Sequence, residues 1–470
     1  MENKRVSDSM GDLNIPADAL YGAQTARAIK NFPVSGRPVP RSFIRALLLA
    51  KLAAAEANVA LKLLAPNIAQ AVAQAVQDLL ADPQMMRHFP IDMFQTGSGT
   101  SSNMNANEVL ASLVSSRLGQ SVHPNDAINL GQSSNDIIPS AIHISALLAV
   151  EQSLLPSLTL LSQTITAKAQ QLGDVTKTGR THLMDAMPIR FDQVLGGWGS
   201  QIDLCRQRLV ALSGELAQLP VGGTAVGTGV NTHEEFSRLF CERLSALTRT
   251  QFRPADNLFS RMASHDTAVA LSGQLKTLAV AIMKISNDLC WMNSGPLAGI
   301  GEISLQPLQP GSSIMPGKVN PVIPESACMV AAQVMGNDMA ITVAGQSGNF
   351  ELNVMQPLLA VNLLESIEIL GNVSRLLADK AIASFVVNRE RIAASLHRNP
   401  ILVTALSPKV GYVQAAKIVK QAYQEQRPIL EVAMELTDLS EEELRHLLDP
   451  ERLTGVRPHR ERRIERMVTR

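Results

Sequence analysis

The sequence has few cysteines, few aromatic residues and no net charge. Its four cysteines, Cys205, Cys241, Cys290 and Cys328, are far apart and form no CxxC pair. This spacing argues against a zinc cluster or a disulfide network and is typical of buried thiols in a reducing compartment. Lysine plus arginine number 42, as do aspartate plus glutamate. No overall field therefore attracts nucleic acid or an anionic membrane.

A recognisable targeting or membrane segment is also missing. The first residues, MENKRVSDSMGD, are polar and include acids, unlike a signal or transit peptide. The longest apolar stretch, residues 46–65, is interrupted by Lys51, Glu56 and Lys62, which a membrane-spanning helix would not readily accept. We therefore expect a cytoplasmic protein that binds neither membranes nor nucleic acid.

Hydrophobic residues, by contrast, make up 46% of the chain and aromatic residues only 3%, so aliphatic side chains must fill the interior. Apolar residues recur at intervals of three and four in long segments, which predicts helices. These segments are residues 138–172, 188–219, 264–292, 321–345 and 352–383. Pro156 predicts a kink in the first. We predict an all-α fold whose long helices cover their apolar stripes with other copies of the chain, and hence a homo-oligomer.

The sharpest polar segment between the predicted helices is the undecapeptide GSSIMPGKVNP, which begins at Gly311. Its Gly-Lys pair suggests a phosphate-binding loop. However, five residues separate Gly311 from Gly317 where that motif has four, and Val319 replaces the hydroxyl residue that holds magnesium. A flexible connector would explain the glycines and the proline but not the hydroxyls, Lys318 and Asn320. We therefore interpret the segment as a functional loop.

This undecapeptide resembles the signature of the fumarase/aspartase superfamily, and further blocks resemble the family in the same order. These are IPADALYGAQT at residues 15–25, TGSGTSSNMN at 96–105, HPND at 123–126, QSSND at 132–136, GRTHLMDA at 179–186 and GGTAVGTG at 222–229. The resemblance covers most of the chain.

The resemblance implies a three-domain fold built around a central bundle of five long helices. We place an N-terminal helical domain at residues 1–134, the long-helix bundle at 135–388 and a small C-terminal helical domain at 389–470. The resemblance further implies a homotetramer with a core of twenty helices, in which residues from three subunits form each active site. A monomer should then be inactive.

The resemblance assigns catalytic roles to five residues. Ser312 matches the family's catalytic base. Lys318 and Asn320 are suited to the charge of the aci-carboxylate that forms when a proton leaves the carbon next to a carboxylate. His182 matches a histidine paired with a glutamate, and Glu325 stands where that partner belongs. Together these two can protonate the departing hydroxide, directly or through a bound water.

Two further sets of residues match family positions that bind carboxylates. The substrate-binding set comprises Ser98, Gly99, Thr100, Ser133, Ser134, Asn135, Thr181, Ser313 and Val319. The second set, His123, Pro124, Asn125 and Asp126, matches a second carboxylate site described for fumarases. Many relatives carry a basic residue three positions before this histidine, whereas this sequence has Gln120.

No cofactor and no metal are expected. The glycine-rich residues 222–229 lack the G-x-G-x-x-G register of a dinucleotide site, and no strand-helix-strand unit surrounds them. Histidine pairs at metal-ligand spacing are missing, and the family is metal-independent.

Within the superfamily we expect fumarate hydratase activity, the reversible hydration of fumarate to (S)-malate. Three features favour it over aspartate ammonia-lyase: the pair Ser133-Ser134, Ser98, and the segment GNFELN at residues 348–353. Residues 322–325 and 28–32 look more like an aspartase. A catalytically silent structural member is the remaining alternative, and the retention of all five catalytic residues argues against it.

Overall fold

The computed structural model describes residues 3–455, which form two compact units. Of the described residues, the first unit contains those up to Leu158 together with Leu204–Ile282 and Met329–Ser374. The second contains Thr159–Asp203, Met283–Cys328 and the residues from Arg375 onward. The three-domain division drawn from the sequence stays a prediction.

Helices make up most of the described chain, which confirms the all-α class. Their bounds are α1 Ala23–Asn31, α2 Arg41–Ala60, α3 Pro66–Ala81, α4 Thr100–Leu118, α5 Ser134–Ala149, α6 Leu155–Gln171, α7 Phe191–Leu216, α8 Phe236–Thr248, α9 Leu258–Ala263, α10 Asp266–Asn293, α11 Val322–Gly345, α12 Gln356–Leu377, α13 Arg389–His397, α14 Ser407–Val410, α15 Tyr412–Glu425, α16 Ile429–Leu436 and α17 Glu441–Leu447. Short 3₁₀ turns occupy Met85–His88, Pro400–Leu406 and Arg452–Thr454, and π turns occupy Pro124–Ile128, Val150–Leu154 and Ala378–Ile382.

The strands are short and pair two by two. Antiparallel pairs are β1 (Asn3–Asp8) with β2 (Gly11–Pro16), β3 (Thr176–Thr181) with β4 (Met184–Arg190), β7 (Ile303–Ser304) with β10 (Val386–Val387), and β8 (Gly348–Asn349) with β9 (Leu352–Asn353). One parallel pair joins β5 (Gln218–Leu219) to β6 (Arg253–Pro254).

The five predicted long helices agree with the structure to within a few residues, but some of their predicted ends are strands: residues 218–219 belong to β5 and residues 352–353 to β9. Residues 188–190 belong to β4 rather than to α7, because they pair with β3. The first predicted helix changes to a π turn at Val150–Leu154, directly before Pro156 in α6. Proline has no N–H to donate to the preceding turn, and a wider turn accommodates the missing hydrogen bond.

In the first unit, α2 packs against α3, α5 and α8. Most of its residues are buried, among them Leu47, Leu48 and Ala50. In the second unit, the C-terminal helices surround a small core of their own that contains Leu406, Ile418, Val432 and Leu444. Aliphatic side chains dominate both cores, as the composition predicts.

Three continuous helices are long and apolar enough to cross a membrane, judged by length and composition alone. They are Ser134–Gln171, Asp266–Asn293 and Val322–Gly345, and the chain itself buries 56%, 50% and 39% of their most apolar windows. Val280 is 53% exposed, Met329 68% and Met339 65%. The long helices therefore leave a wide apolar surface that the single chain does not cover.

Two buried histidines make the stability of the first unit sensitive to acid. Burial, together with the nearby Arg261, lowers the pKa of His143 to about 4. Burial, together with His143, lowers the pKa of His265 to about 3. Neither ring nitrogen of His265 has a hydrogen-bond partner within the described residues. Both rings are therefore neutral in the folded protein near neutral pH.

We predict that stability falls as the pH drops from about 7 to about 5, because the unfolded chain then binds protons that the folded chain does not. Each histidine contributes at most about 1.4 kcal/mol per pH unit. Asp136 acts in the opposite sense between about pH 4 and 6, since burial raises the pKa of its carboxyl to about 6.

Thermal unfolding midpoints measured across this pH range test the prediction. His265→Leu should flatten the dependence, whereas the same measurement on His397→Gln, at an exposed histidine, should reproduce the parent slope. An equal slope in His265→Leu would contradict the assignment.

Candidate active site

The signature loop of the second unit is closed by its own hydrogen bonds. The Gly311 N–H donates to the Lys318 carbonyl (2.8 Å), and the Lys318 N–H donates to the Met315 carbonyl (3.2 Å). The Asn320 amide donates to the Gly311 carbonyl at 3.1 Å. The loop is largely exposed, and Ile314 at its tip is 83% exposed.

Ser312 lies where two backbone N–H groups point at its oxygen. The N–H groups of Ile314 and Met315 both donate to Ser312 Oγ at 3.2 Å. Hydrogen bonds from N–H donors stabilise negative charge on an oxygen, so this geometry favours an alkoxide at Ser312. Farther along the loop, Lys318 Nζ donates to Asn320 Oδ1 at 2.6 Å, which brings the predicted cation and amide together.

Helix α11 begins directly after the loop, and its first turn contains Glu325. The side chain is exposed, and the helix dipole favours an acidic group in this position. The pairing of Glu325 with His182 stays a prediction.

His182 occupies the turn of the β3–β4 hairpin, where Thr181 pairs with Met184. His182 has φ 55° and Leu183 has φ 61°. Two-residue turns of this kind usually contain asparagine and glycine, because other residues are strained at positive φ. The strain at His182 and Leu183 projects a histidine and an exposed leucine, 62% accessible, from the tip of a rigid hairpin. Strain of this sort often marks functional positions.

A cavity of about 460 Å³ lies beside this hairpin, lined in part by His182, Trp198 and Lys284. A buried carboxylate, Glu302, supports the strand that leads to the turn: its oxygens lie 2.9 Å from Lys177 Nζ and 2.7 Å from Arg180 Nη1. The cavity lining draws on no residue of the signature loop within the described chain.

In the first unit, the predicted substrate-binding residues Ser98, Gly99 and Thr100 lie where α4 begins. Gly99 has φ 72°, and Ser98 Oγ and Thr100 Oγ1 share a hydrogen bond of 2.7 Å. The N–H groups of Ser101 and Ser102 already donate to Thr96 Oγ1 and Gln95 Oε1, so α4 offers an anion the hydroxyls of Ser98 and Thr100 and the positive end of its helix dipole. This arrangement suits a carboxylate ligand.

The other predicted set, Ser133, Ser134 and Asn135, forms the start of α5. Ser133 Oγ accepts from the Asn135 N–H at 3.2 Å, and the Ser133 N–H donates to Asp136 Oδ1 at 2.9 Å, which together make a capping box. The Asn135 amide donates to the Ala225 carbonyl at 2.8 Å. The turn is thus bound to the glycine-rich loop at residues 222–229.

Behind this turn lies a buried polar network that the sequence reading did not identify. Asn103 Nδ2 donates to Ser134 Oγ at 2.9 Å and to Asn129 Oδ1 at 3.3 Å. Lys51, which is 1% exposed, donates to Asn129 Oδ1 at 2.9 Å and to Gln132 Oε1 at 2.8 Å. The only signal in the sequence was a lysine within an apolar helix.

The predicted second carboxylate site lies in the π turn Pro124–Ile128 and the residue before it. His123 Nδ1 and Asp126 Oδ2 are 3.3 Å apart, and both side chains are exposed. Pro124 and Asn125 belong to the same turn. Anion binding here stays a prediction, as do the roles of all the residues that the resemblance singled out.

Comparisons with known proteins show the family to which the chain belongs. A family profile described as Lyase matches residues 11–336, and one described as Fumarase C C-terminus matches residues 402–455. The chain is 63% identical over 448 residues to a class II fumarate hydratase of Pseudomonas aeruginosa, covering 95% of this chain and 98% of the relative. It is 48% identical over 429 residues to a class II fumarate hydratase of Mycobacterium tuberculosis, covering 91% and 90%.

A solved structure also has a similar fold. The crystal structure of a class II fumarase from Schistosoma mansoni superposes with a TM-score of 0.94 at 38% sequence identity, covering 97% of this chain and 100% of that chain.

We predict that Gly97→Ala disrupts the loop that precedes α4. A Cβ at Gly97 would lie 1.8 Å from the Val354 carbonyl oxygen, so the backbone must move and carry Ser98 with it. Overpacking of this kind costs about 1–3 kcal/mol. Denaturant unfolding should show the loss of stability, and turnover should fall with it. Gly214→Ala, where no atom lies within 4 Å of the added Cβ, should retain both, and similar behaviour of the two variants would refute the steric argument.

Proposed function

Because the chain belongs to the class II fumarase family, we propose that it catalyses the reversible hydration of fumarate to (S)-malate. We further propose that it acts in the cytoplasm, as part of the tricarboxylic acid cycle. The family and the named relatives support a lyase of this type. The observation that carries the proposal is the position of Ser312, whose oxygen accepts two backbone N–H groups in a loop that also holds Lys318 and Asn320.

In the direction of dehydration, Ser312 Oγ, as an alkoxide, removes a proton from the malate carbon next to a carboxylate. The electron pair left behind is delocalised into that carboxylate, which becomes a dianionic aci-carboxylate. Lys318 and Asn320 stabilise this charge with a cation and an amide donor. Expulsion of the hydroxyl group from the neighbouring carbon then forms the double bond of fumarate.

The departing hydroxide needs a proton, and protonated His182 supplies it to form water. Glu325, as the partner of His182, orients the imidazole ring toward the departing hydroxide. The N-termini of α4 and α5 provide hydroxyl and amide donors for the two substrate carboxylates through the side chains of Ser98, Thr100, Ser133, Ser134 and Asn135, and the two helix dipoles favour the bound anion. Thr181, Gly99, Ser313 and Val319 complete the proposed binding set.

The proposed functional form is a homotetramer in which three subunits contribute to each site. The apolar surface of the long helices supports this assembly, because water-exposed faces of that extent are normally covered. The exposed hairpin tip and the exposed signature loop also support it, since each presents reactive groups outward. A site assembled from several subunits uses both.

The absorbance of the fumarate double bond provides the direct test. Purified protein offered L-malate should produce fumarate, and protein offered L-aspartate should not. Fumarate from aspartate alone would establish an ammonia-lyase instead, and fumarate from neither substrate would point to a silent structural member.

We predict that Ser312→Ala lowers turnover of malate by about a thousandfold or more, because it removes the base. The unfolding midpoint should change little, since an exposed loop hydroxyl contributes little packing. Ser304→Ala, at an exposed serine that donates to Asn388 Oδ1, provides a matched control with normal turnover. Near-normal turnover in a folded Ser312→Ala protein would refute the base assignment.

We also predict that Met339→Glu, on the exposed face of α11, breaks the assembly and the activity together, because it places a charge in an apolar interface. Light scattering should report the parent protein as a tetramer of the 50.6-kDa chain and the variant as smaller species. Met434→Glu introduces the same charge at an exposed methionine of α16 and should remain tetrameric and active. A fully active monomer would contradict the shared site.

A further inference from the structure

Lys51 is a fully buried cation in the middle of an apolar helix. Its residue is 1% exposed, and its neighbours on α2, Leu47, Leu48 and Ala50, are buried with it. Placing an ammonium group in such surroundings is costly unless hydrogen bonds and charge compensate. An aliphatic residue would pack in this position without that cost, so the contacts of the ammonium group indicate what the lysine contributes.

The ammonium group contacts two neutral amide oxygens. Lys51 Nζ donates to Asn129 Oδ1 at 2.9 Å and to Gln132 Oε1 at 2.8 Å. The charge that acts on it electrostatically is that of Asp136, whose carboxylate accepts the N–H groups of Ser133, Gly222 and Thr224. The negative charge of Asp136 therefore balances the positive charge of Lys51 through space, and the two groups are not in direct contact.

A lysine can only donate hydrogen bonds, and this dictates how the two amides lie. With their oxygens turned toward Lys51, the NH₂ groups of Asn129 and Gln132 point away from it. Asn129 Nδ2 donates to the Gln132 carbonyl at 3.1 Å, and Gln132 Nε2 donates to the carbonyls of Ile128 (3.1 Å) and Leu130 (3.3 Å). The backbone just before Ser133 is held by these bonds.

The same network reaches the hydroxyls that would bind substrate. Asn129 Oδ1 also accepts from Asn103 Nδ2, and Asn103 Nδ2 donates to Ser134 Oγ at 2.9 Å. Three hydrogen bonds, by way of Asn129 and Asn103, therefore link the ammonium group to Ser134, a predicted carboxylate-binding residue. In addition, a positive charge behind the turn adds to the field of the α5 N-terminus, which also favours an anion.

We propose that Lys51 is a positioning residue for carboxylate binding, which orients the Asn129 and Gln132 amides that hold the turn at Ser133–Asn135 and places a buried positive charge behind it. The inference rests on the proposed fumarase function. It assigns to Lys51 an effect on substrate affinity, without contact with the substrate.

Protonation of Lys51 should be visible in the physiological range. Burial lowers the pKa of the Lys51 ammonium to about 7, and the charge of Asp136 opposes that shift. Asp136 on α5 is the ionisable group that acts on it, while Asn129 and Gln132 in the facing loop are neutral. As the pH rises through this range, Lys51 loses its charge, and KM for malate should increase.

The test compares Lys51→Met and Lys51→Arg with the parent enzyme. Lys51→Met should raise KM for malate by about tenfold or more, since it removes both the charge and the orienting donors, while kcat changes by about threefold or less. Lys51→Arg retains charge and donors, so it should restore a low KM and remove the rise of KM at high pH, because a guanidinium does not deprotonate.

Asn58→Leu is the matched control. Asn58 lies on α2, is 1% exposed and donates to the Leu130 carbonyl at 3.0 Å, so its loss removes a buried polar contact to the same loop without removing a charge. This variant should lose stability but keep the parent KM and the parent pH profile. Equal KM changes in Asn58→Leu and Lys51→Met would reduce Lys51 to a structural role and overturn the proposal.

Two further results decide the matter if Lys51→Met does not fold. A KM of the parent enzyme that is flat from about pH 6 to 8.5 would overturn the proposal, and so would a rise that Lys51→Arg leaves unchanged. Turnover of malate by the parent enzyme separates this question from the function itself: without it the proposed function fails, whereas with it only the variant comparison bears on Lys51.

Discussion

The carboxylate of Asp136 is the contact on which the predicted carboxylate-binding turn depends. It is fully buried and accepts N–H groups from Ser133, Gly222 and Thr224. A buried carboxylate is tolerated only when hydrogen bonds and a nearby cation compensate for lost water, and Lys51 provides that cation. Because the three donors come from two distant segments, one side chain keeps the turn and the glycine-rich loop in a single arrangement.

The signature loop has a different requirement, because the reactive hydroxyl of Ser312 must be both activated and accessible. Two N–H groups of the loop point at Ser312 Oγ, and the loop otherwise relies on hydrogen bonds between its own residues. The His182 turn is likewise exposed. Under the proposed function, neighbouring subunits cover the apolar helix faces and in the same step bring these groups to one substrate.

Much of the fold could be predicted from the sequence, because apolar residues at regular intervals indicate long helices. The ends of α10 and α11 agree with the prediction almost to the residue. Residues 188–190 were predicted to be helical but belong to strand β4. Their pairing with β3 is a contact between two segments, which leaves no periodic signal in the sequence. The strained turn at His182 left no signal in the sequence either, since neither of its residues is the glycine or asparagine that normally marks such a turn.

The sequence by itself determined the helical class, the family and the candidate residues, because periodicity and contiguous motifs are local properties of the chain. Only the tertiary structure decided which groups support those residues. Lys51 and Asn103 lie far from Ser134 in the sequence and meet it through a buried network. Burial and hydrogen-bond geometry depend on how segments pack, so a lysine that merely interrupts an apolar stretch in the sequence becomes a buried cation behind a binding turn in the fold.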